Sequence, residues 1–313
     1  SSLSDLGTLA TAITNNEFAN DTGITTIGVS DTTIDATTLA TRIDSYDTIN
    51  GSGTTEITLA SGAIINVDAD EIAAMLADET AGRLTITDQK ITVTNAITVD
   101  TANLLTATTT GVVTGTIVST ESITELATLN ADGGTNALTI TIPSGDAHAH
   151  QLSIINAATS LDVDASAVTL ITGQAIEIVS LYGSTGITGL GNEILSISDE
   201  ISVDQANVID ALTTESVTAS VSSSSVENLK TLTGDNNIYT IVIPNIPVSA
   251  SDLNSINGLT SVAVDLNNVT TITSSSLSDL GTLATAITNN EFANDTGITT
   301  IGVSDTTIDA TTL

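Results

Sequence analysis

Few residues in this chain of 313 are of types that carry chemistry. Cysteine is absent, and the two histidines, His148 and His150, stand two apart in Asp146-Ala147-His148-Ala149-His150. On a strand that spacing puts both rings on one face, which is the start of a transition-metal site. Zinc needs further ligands, and no third is evident. An exposed turn is the plainer expectation. Carboxylates gather in Val67-Asp68-Ala69-Asp70-Glu71 and in Leu161-Asp162-Val163-Asp164. Calcium is held by oxygen-rich loops, so Asp68, Asp70, Asp162 and Asp164 are the calcium candidates. The competing reading makes Asp68 and Asp164 helix caps, with acidic neighbours that suit a helix N-terminus. No other cofactor is expected.

Nothing resembles a catalytic set. Polysaccharide cleavage needs convergent carboxylates, or a base acting on an acidic sugar, and Arg42 and Arg83 are isolated in sequence. No nucleophile elbow, phosphate-binding loop or dinucleotide fingerprint is present, so the chain reads as no enzyme. Lys and Arg number 4 against 37 Asp and Glu, for a formal net charge of −33. Neutralising phosphates takes clustered cations, so nucleic acid is not an expected partner, nor is an anionic membrane surface. The apolar runs are too short to span a bilayer. No secretion signal opens the sequence.

The elements that would position such residues have a recurrent start. An apolar residue, a capping residue, three variable residues and a second apolar residue recur along the chain, often with a third apolar residue three further on. Val67-Asp68…Ile72…Met75 and Val248-Ser249…Leu253…Ile256 are examples. A Ser, Thr or Asp at the N-cap accepts a backbone N–H of the first turn, and the flanking apolar pair staples it. The caps expected are Asp35, Asp68, Asp100, Ser119, Asp164, Asp204, Ser222, Ser249 and Thr273, with His148 the poorest member. Between them lie short runs that alternate apolar residues with Thr or Ser, the period of a half-buried strand. They include 56–59, 84–87, 91–94, 137–142, 195–197, 238–243, 262–264 and Ile176-Glu177-Ile178-Val179. Clusters at 131–134 and 234–237 mark turns. Thr-x-Thr pairs at 85/87, 92/94, 139/141 and 271/273 suit solvent-facing strands; arrayed in register on one flat face they could bind ice.

Residues 1–39 recur without a change at 275–313, an offset of 274. The first copy opens inside the capped motif and the second stops inside it at Leu313, in the motif that starts Ile308-Asp309. An indefinite repeat keeps that phase. We therefore expect 1–274 to be one full unit and 275–313 the start of the next identical unit. Strand and short capped helix would alternate in about ten coils per unit, spaced 16 to 40 residues apart by the expected caps. The expected fold class is a repeat solenoid, either α/β or a plain β-solenoid with the capped turns as corners. Stacked, similar layers of Val, Ile, Leu and Ala explain how 2% aromatic residues can suffice.

The segment 186–234, with Gly189-Leu190-Gly191-Asn192-Glu193 and Thr231-Leu232-Thr233-Gly234 as its turns, resembles the low-complexity repeats of the giant cell-surface proteins of swimming cyanobacteria. That resemblance implies an exported, very long, repetitive protein and carries over no catalytic residue. The function expected is a structural subunit of an extracellular fibre or cell-surface filament, with further copies of itself as partners. The alternative is the stalk of a giant repeat adhesin whose binding module lies elsewhere.

Overall fold

A computed structural model describes residues 1–15, 17, 24–50, 55–130, 135–234 and 236–306. The expected turn at 131–134, part of the turn at 234–237 and the motif start at 308–309 lie outside them. In chain order the first elements are α1 (Leu3–Thr14), β1 (Thr26–Val29), β2 (Thr33–Asp35), α2 (Ala36–Asn50), β3 (Glu56–Leu59) and β4 (Ile64–Val67). Next come α3 (Ile72–Thr80), β5 (Leu84–Thr85), β6 (Lys90–Ile97), α4 (Val99–Thr108), β7 (Val113–Ile117), α5 (Ile123–Leu126) and β8 (Ala137–Thr139). Then follow β9 (Gly145–His148), α6 (Ala149–Ala157), β10 (Val163–Asp164), β11 (Val168–Gly173), α7 (Ala175–Tyr182), β12 (Ile187–Thr188), β13 (Ile194–Ser202) and α8 (Val203–Asp210). The last are β14 (Val217–Ser222), α9 (Val226–Leu229), β15 (Ile238–Ile241), α10 (Ala250–Asn257), β16 (Val264–Asp265), β17 (Thr271–Ser275), α11 (Leu277–Thr288), β18 (Phe292–Ala293) and β19 (Thr300–Val303).

The chain is a mixed α/β protein, and every strand pair recorded is parallel. Parallel neighbours need a crossover between them, and here short helices supply most of it. Two compact units divide the chain: residues 1–143, 151–165 and 185–188 form one, and 144–150, 166–184 and 189–313 the other.

In the first unit the larger sheet has the order β2-β4-β6-β7-β8, so its strands follow the chain. Ile34, Ile65, Ile91 and Val113 pair in one row across it, and all four are fully buried. Each such side chain removed from water contributes about 1.5–3 kcal/mol. A second sheet, β1-β3-β5, carries buried Ile27, Ile57 and Leu84 in register. The second unit repeats the device in β9-β11-β13-β14-β15, where Ala147, Ile171, Leu195 and Val217 form the buried row. Branched residues stacked at the ~4.8 Å strand spacing touch their own kind above and below, which fills a core without aromatics.

The run 176–179 is helical rather than extended. In α7 the buried residues are Ala175, Ile178 and Leu181, a helical spacing, while Ile176 is 70% exposed. Glu177 closes the first turn by accepting the Gln174 N–H at 2.9 Å. Alternation of Ile with Glu imitated a strand, and the i, i+3 burial of this face overrides it. The Thr-x-Thr pairs of the first unit do not share one array: Thr85 lies in the sheet of β1 and Thr92 in that of β2.

Candidate functional site

Helix starts are the most regular feature. Among the described residues, the starts that lead into α1 to α11 are at Ser2, Asp35, Asp68, Thr98, Ser122, His148, Gln174, Ser202, Ser225, Ser249 and Ser276, spaced 23 to 33 residues apart. Of the caps expected from the sequence, Asp35 accepts the Thr38 N–H at 2.9 Å, and Asp68 and Ser249 cap the first turns that follow them. Asp68 opens a short 3-10 turn, Ala69–Glu71, that leads into α3. Asp100 and Asp204 instead lie inside the first turns of α4 and α8, behind Thr98 and Ser202. Ser119, Ser222 and Thr273 precede the caps Ser122, Ser225 and Ser276 by three residues. Asp164 ends β10, and a turn and β11 follow it.

The reason is which residues face the core. In α4 and α8 the first buried residues are Val99 and Val203, already helical, followed by Ala102 and Ala206 and then Leu105 and Ile209. The apolar residues used to set the expected phase, Leu104 and Val208, are 57% and 51% exposed. A one-turn signal was present: Ser122-x-x-Glu125 and Ser202-x-x-Gln205 are capping boxes with both reciprocal bonds formed.

A second carboxylate reaches several starts from farther along the chain. The first helical N–H of α1 is held by Asp31 at 2.6 Å, that of α4 by Glu121 at 3.0 Å, that of α7 by Asp199 at 2.8 Å and that of α11 by Asp305 at 2.6 Å. Free N–H groups and the positive end of the helix dipole favour an anion there, which gives part of the acidic excess a structural task. Register shifts serve the same end. Between Ser196 and Glu200 β13 advances by four residues while β14 advances by two, and Asp199 sits in that bulge. The shift in β6 places Asn95 so that its amide donates to both oxygens of Asp68. Hydrogen bonds from Thr38 hold Asp35 below the ordinary carboxyl range, and bonds from Ser122 do the same to Glu125.

A buried polar seam, unread in the sequence, lies where strands begin. Gln89, Asn136, Glu193 and Asn237 are almost fully buried there. Asn136 accepts the Val113 N–H at 2.7 Å and Asn237 accepts the Val217 N–H at 2.7 Å. Glu193, 1% exposed, accepts N–H groups of Gly191 and Asn192 at 3.0 Å each. Interleaved with them, Thr109, Thr159, Thr213 and Thr260 donate to the carbonyls of Gln89, Leu138, Glu193 and Tyr239 at 2.6 to 2.8 Å. The signal is a Thr-Thr or Thr-Ser pair just ahead of a strand. The hydroxyl substitutes for a ladder bond, so backbone groups stay paired where the strand ends.

Of the expected calcium ligands, Asp68 and Asp70 meet at the opening of the 3-10 turn, where the Asp68 carboxylate accepts the Asp70 N–H at 3.2 Å. Asp68 is engaged by Asp70 N–H, Thr94 and Asn95, while Asp70 and Asp162 are exposed. Among the described residues no group of three or more His, Cys, Asp or Glu is placed to hold a metal ion. His148 ends β9 and its Nδ1 accepts the His150 N–H at 3.2 Å, while His150 is already in α6, so the two rings do not share a strand face. Three of the four cations are engaged within the chain. Arg83 pairs with Asp47 at 2.9 Å and with Asp78; Lys230 pairs with Asp252 at 2.7 Å; Arg42 donates to the Leu3 carbonyl at 3.0 Å. Burial pushes Asp78 up despite its arginine partner.

Among the described residues no helix is long and apolar enough to cross a membrane. No protein-family model, curated protein or solved structure matches the chain.

Proposed function

We propose that the chain is a structural segment of an extracellular fibre or cell-surface filament, in which strand–helix coils stack as an α/β solenoid in tandem units of 274 residues. The observation that carries this reading is the strand order. In both five-stranded sheets the neighbours follow the chain, every pair is parallel, and one apolar row runs across four successive strands. Ten helix starts, Ser2 to Ser249, precede the identical start at Ser276. A solenoid buries each coil only against its neighbours and can lengthen indefinitely. The polar seam and the helix-start carboxylates are what such a stack requires at its corners. Surface charge of one sign would set lateral spacing between filaments through screening.

Ten coils at the ~4.8 Å strand spacing advance about 50 Å. Electron micrographs of the assembled material should show filaments with that axial period, and fibre diffraction should give a ~4.8 Å reflection along the axis. Compact particles lacking that reflection would refute the solenoid fibre.

A further inference from the structure

The solvent side of α7 and α8 carries apolar residues that the packing of these helices does not use. α7 turns Ala175, Ile178 and Leu181 inward, and α8 turns Val203, Ala206 and Ile209 inward. Ile176, Val179 and Val208 lie off those faces and are 70%, 37% and 51% exposed. Ile176 is the most exposed large apolar side chain among the described residues. A single exposed apolar residue is ordinary on a protein surface. Here, however, the two helices lie side by side, and all three side chains line one groove of about 290 Å³.

The rim of this groove is anionic. Asp204 lines it. Asp199 and Glu177 sit at the start of α7, where they accept the Ala175 N–H at 2.8 Å and the Gln174 N–H at 2.9 Å. Glu200, beside Asp199, is exposed. No Lys or Arg occurs between Lys90 and Lys230, whereas residues 166–229 hold eight acidic residues. Lys230 itself is paired with Asp252 and Glu227. An occupant must therefore bring apolar side chains and positive charge together. A second copy of the chain brings 37 acidic residues against 4 basic ones and is repelled, as is an anionic lipid surface. A helix laid between two helices meets such a groove with side chains at i, i+3, i+4 and i+7.

We propose that the α7–α8 groove is a docking site for a basic amphipathic helix of a partner protein. Leucine-like side chains of that helix enter between Ile176, Val179 and Val208, and Lys or Arg on its flanks face Glu177, Asp199 and Asp204. Burial of the apolar side chains supplies the affinity, and the carboxylates speed the encounter and select a cationic partner. The site goes beyond the fibre reading and serves single molecules and filaments alike.

The probe is a fluorescein-labelled peptide of about five helical turns, with Leu at i, i+3, i+4 and i+7 and Lys at most other positions. At about 0.15 M salt, where distant surface charges are screened, its anisotropy should rise on adding the full chain and its circular dichroism should become more helical. A peptide of the same composition with Leu scattered round the helix should bind at least about tenfold more weakly, since burial of one side chain contributes that much. Ile176→Ser with Val208→Ser leaves the net charge unchanged and should weaken the periodic peptide by at least about tenfold. Leu104→Ser, at a residue 57% exposed and outside the groove, should leave binding unchanged. Melting temperatures near that of wild type show that the variants keep the fold; single Ile176→Gln and Val208→Gln variants take the place of the double one if it melts early. Equal binding of the two peptides, or equal binding by wild type and the groove variants, would reduce the effect to bulk charge and overturn the docking site. Equal binding of a peptide with Glu in place of Lys would overturn the basic partner. A dimer in sedimentation velocity that the double variant loses would give the groove to a second copy and overturn the proposal as well.

Discussion

The Thr159 hydroxyl donates to the Leu138 carbonyl at 2.7 Å and accepts the Leu138 N–H at 3.0 Å. One side chain thus satisfies both backbone groups of a residue buried 21 positions earlier. Thr260 does the same for Tyr239, at 2.8 and 3.1 Å. Valine is nearly the same shape but can do neither. Thr159→Val and Thr260→Val should each cost about 1–3 kcal/mol, because buried backbone groups lose their partners. Thr282→Val, at an exposed helical position, should stay within about 0.5 kcal/mol. Urea unfolding of the three variants checks the contrast. Equal effects would remove the seam from the account of stability.

The cap positions give a sharper contrast, because the phase expected from the sequence and the phase observed differ by two or three residues. Ser122→Ala and Ser202→Ala should each cost about 0.5–2 kcal/mol. Ser119→Ala and Ser222→Ala, at exposed positions outside the helices, should cost under about 0.5 kcal/mol. Thermal unfolding of all four variants decides which residues begin the helices.

That difference also shows what was legible. Alternating Val, Ile and Thr marks most strands, and the alternation of strand with short helix is visible from the cap-like residues. The exact phase of the helices was hidden by alanine. Ala102 and Ala206 are fully buried, and a search for large apolar residues passes over them to Leu104 and Val208, which face solvent. The helix at Gln174 was hidden by Ile-x-Ile, which reads as a strand until Ile178 is seen to share a face with Ala175 and Leu181. The polar seam went unread for another reason. Its threonines do sit in Thr-Thr or Thr-Ser pairs ahead of strands, but the carbonyl each hydroxyl bonds lies about 20 residues away and is fixed only when strands pair.

Acid should release the helix starts. Hydrogen bonds hold Asp35 and Glu125 below the ordinary carboxyl range, so their ionised forms stabilise the fold. A depressed carboxyl contributes fully above its unfolded value, about 4, and the contribution disappears as pH falls through the lower folded value. Asp35→Asn keeps an amide oxygen for the cap but no longer titrates. Compared with this variant, the wild-type chain should lose stability more steeply below about pH 4. Parallel urea-unfolding curves for the two proteins from pH 6 to pH 2.5 would show the cap carboxylate to be uncoupled from folding.

Salt should act in the opposite sense to its usual effect on ion pairs. With 37 acidic side chains against 4 basic ones, most charge–charge terms are repulsive. Lys230 with Asp252 and Glu227, and Arg83 with Asp47 and Asp78, offset only a small part of that repulsion. Raising ionic strength from 0.01 to 0.15 M shortens the screening length from about 30 to about 8 Å. Repulsion between acids on successive strand–helix segments should weaken with it, while bonds at 2.6 to 3.0 Å between carboxylates and helix N–H groups are little affected. The melting temperature should therefore rise through this range with sodium chloride, a salt with no preference for a shaped site. If it falls, the attractive pairs at Arg83 and Lys230 outweigh the like-charge repulsion. In that case Arg83→Met should abolish most of the salt dependence, which a salt titration of that variant measures directly.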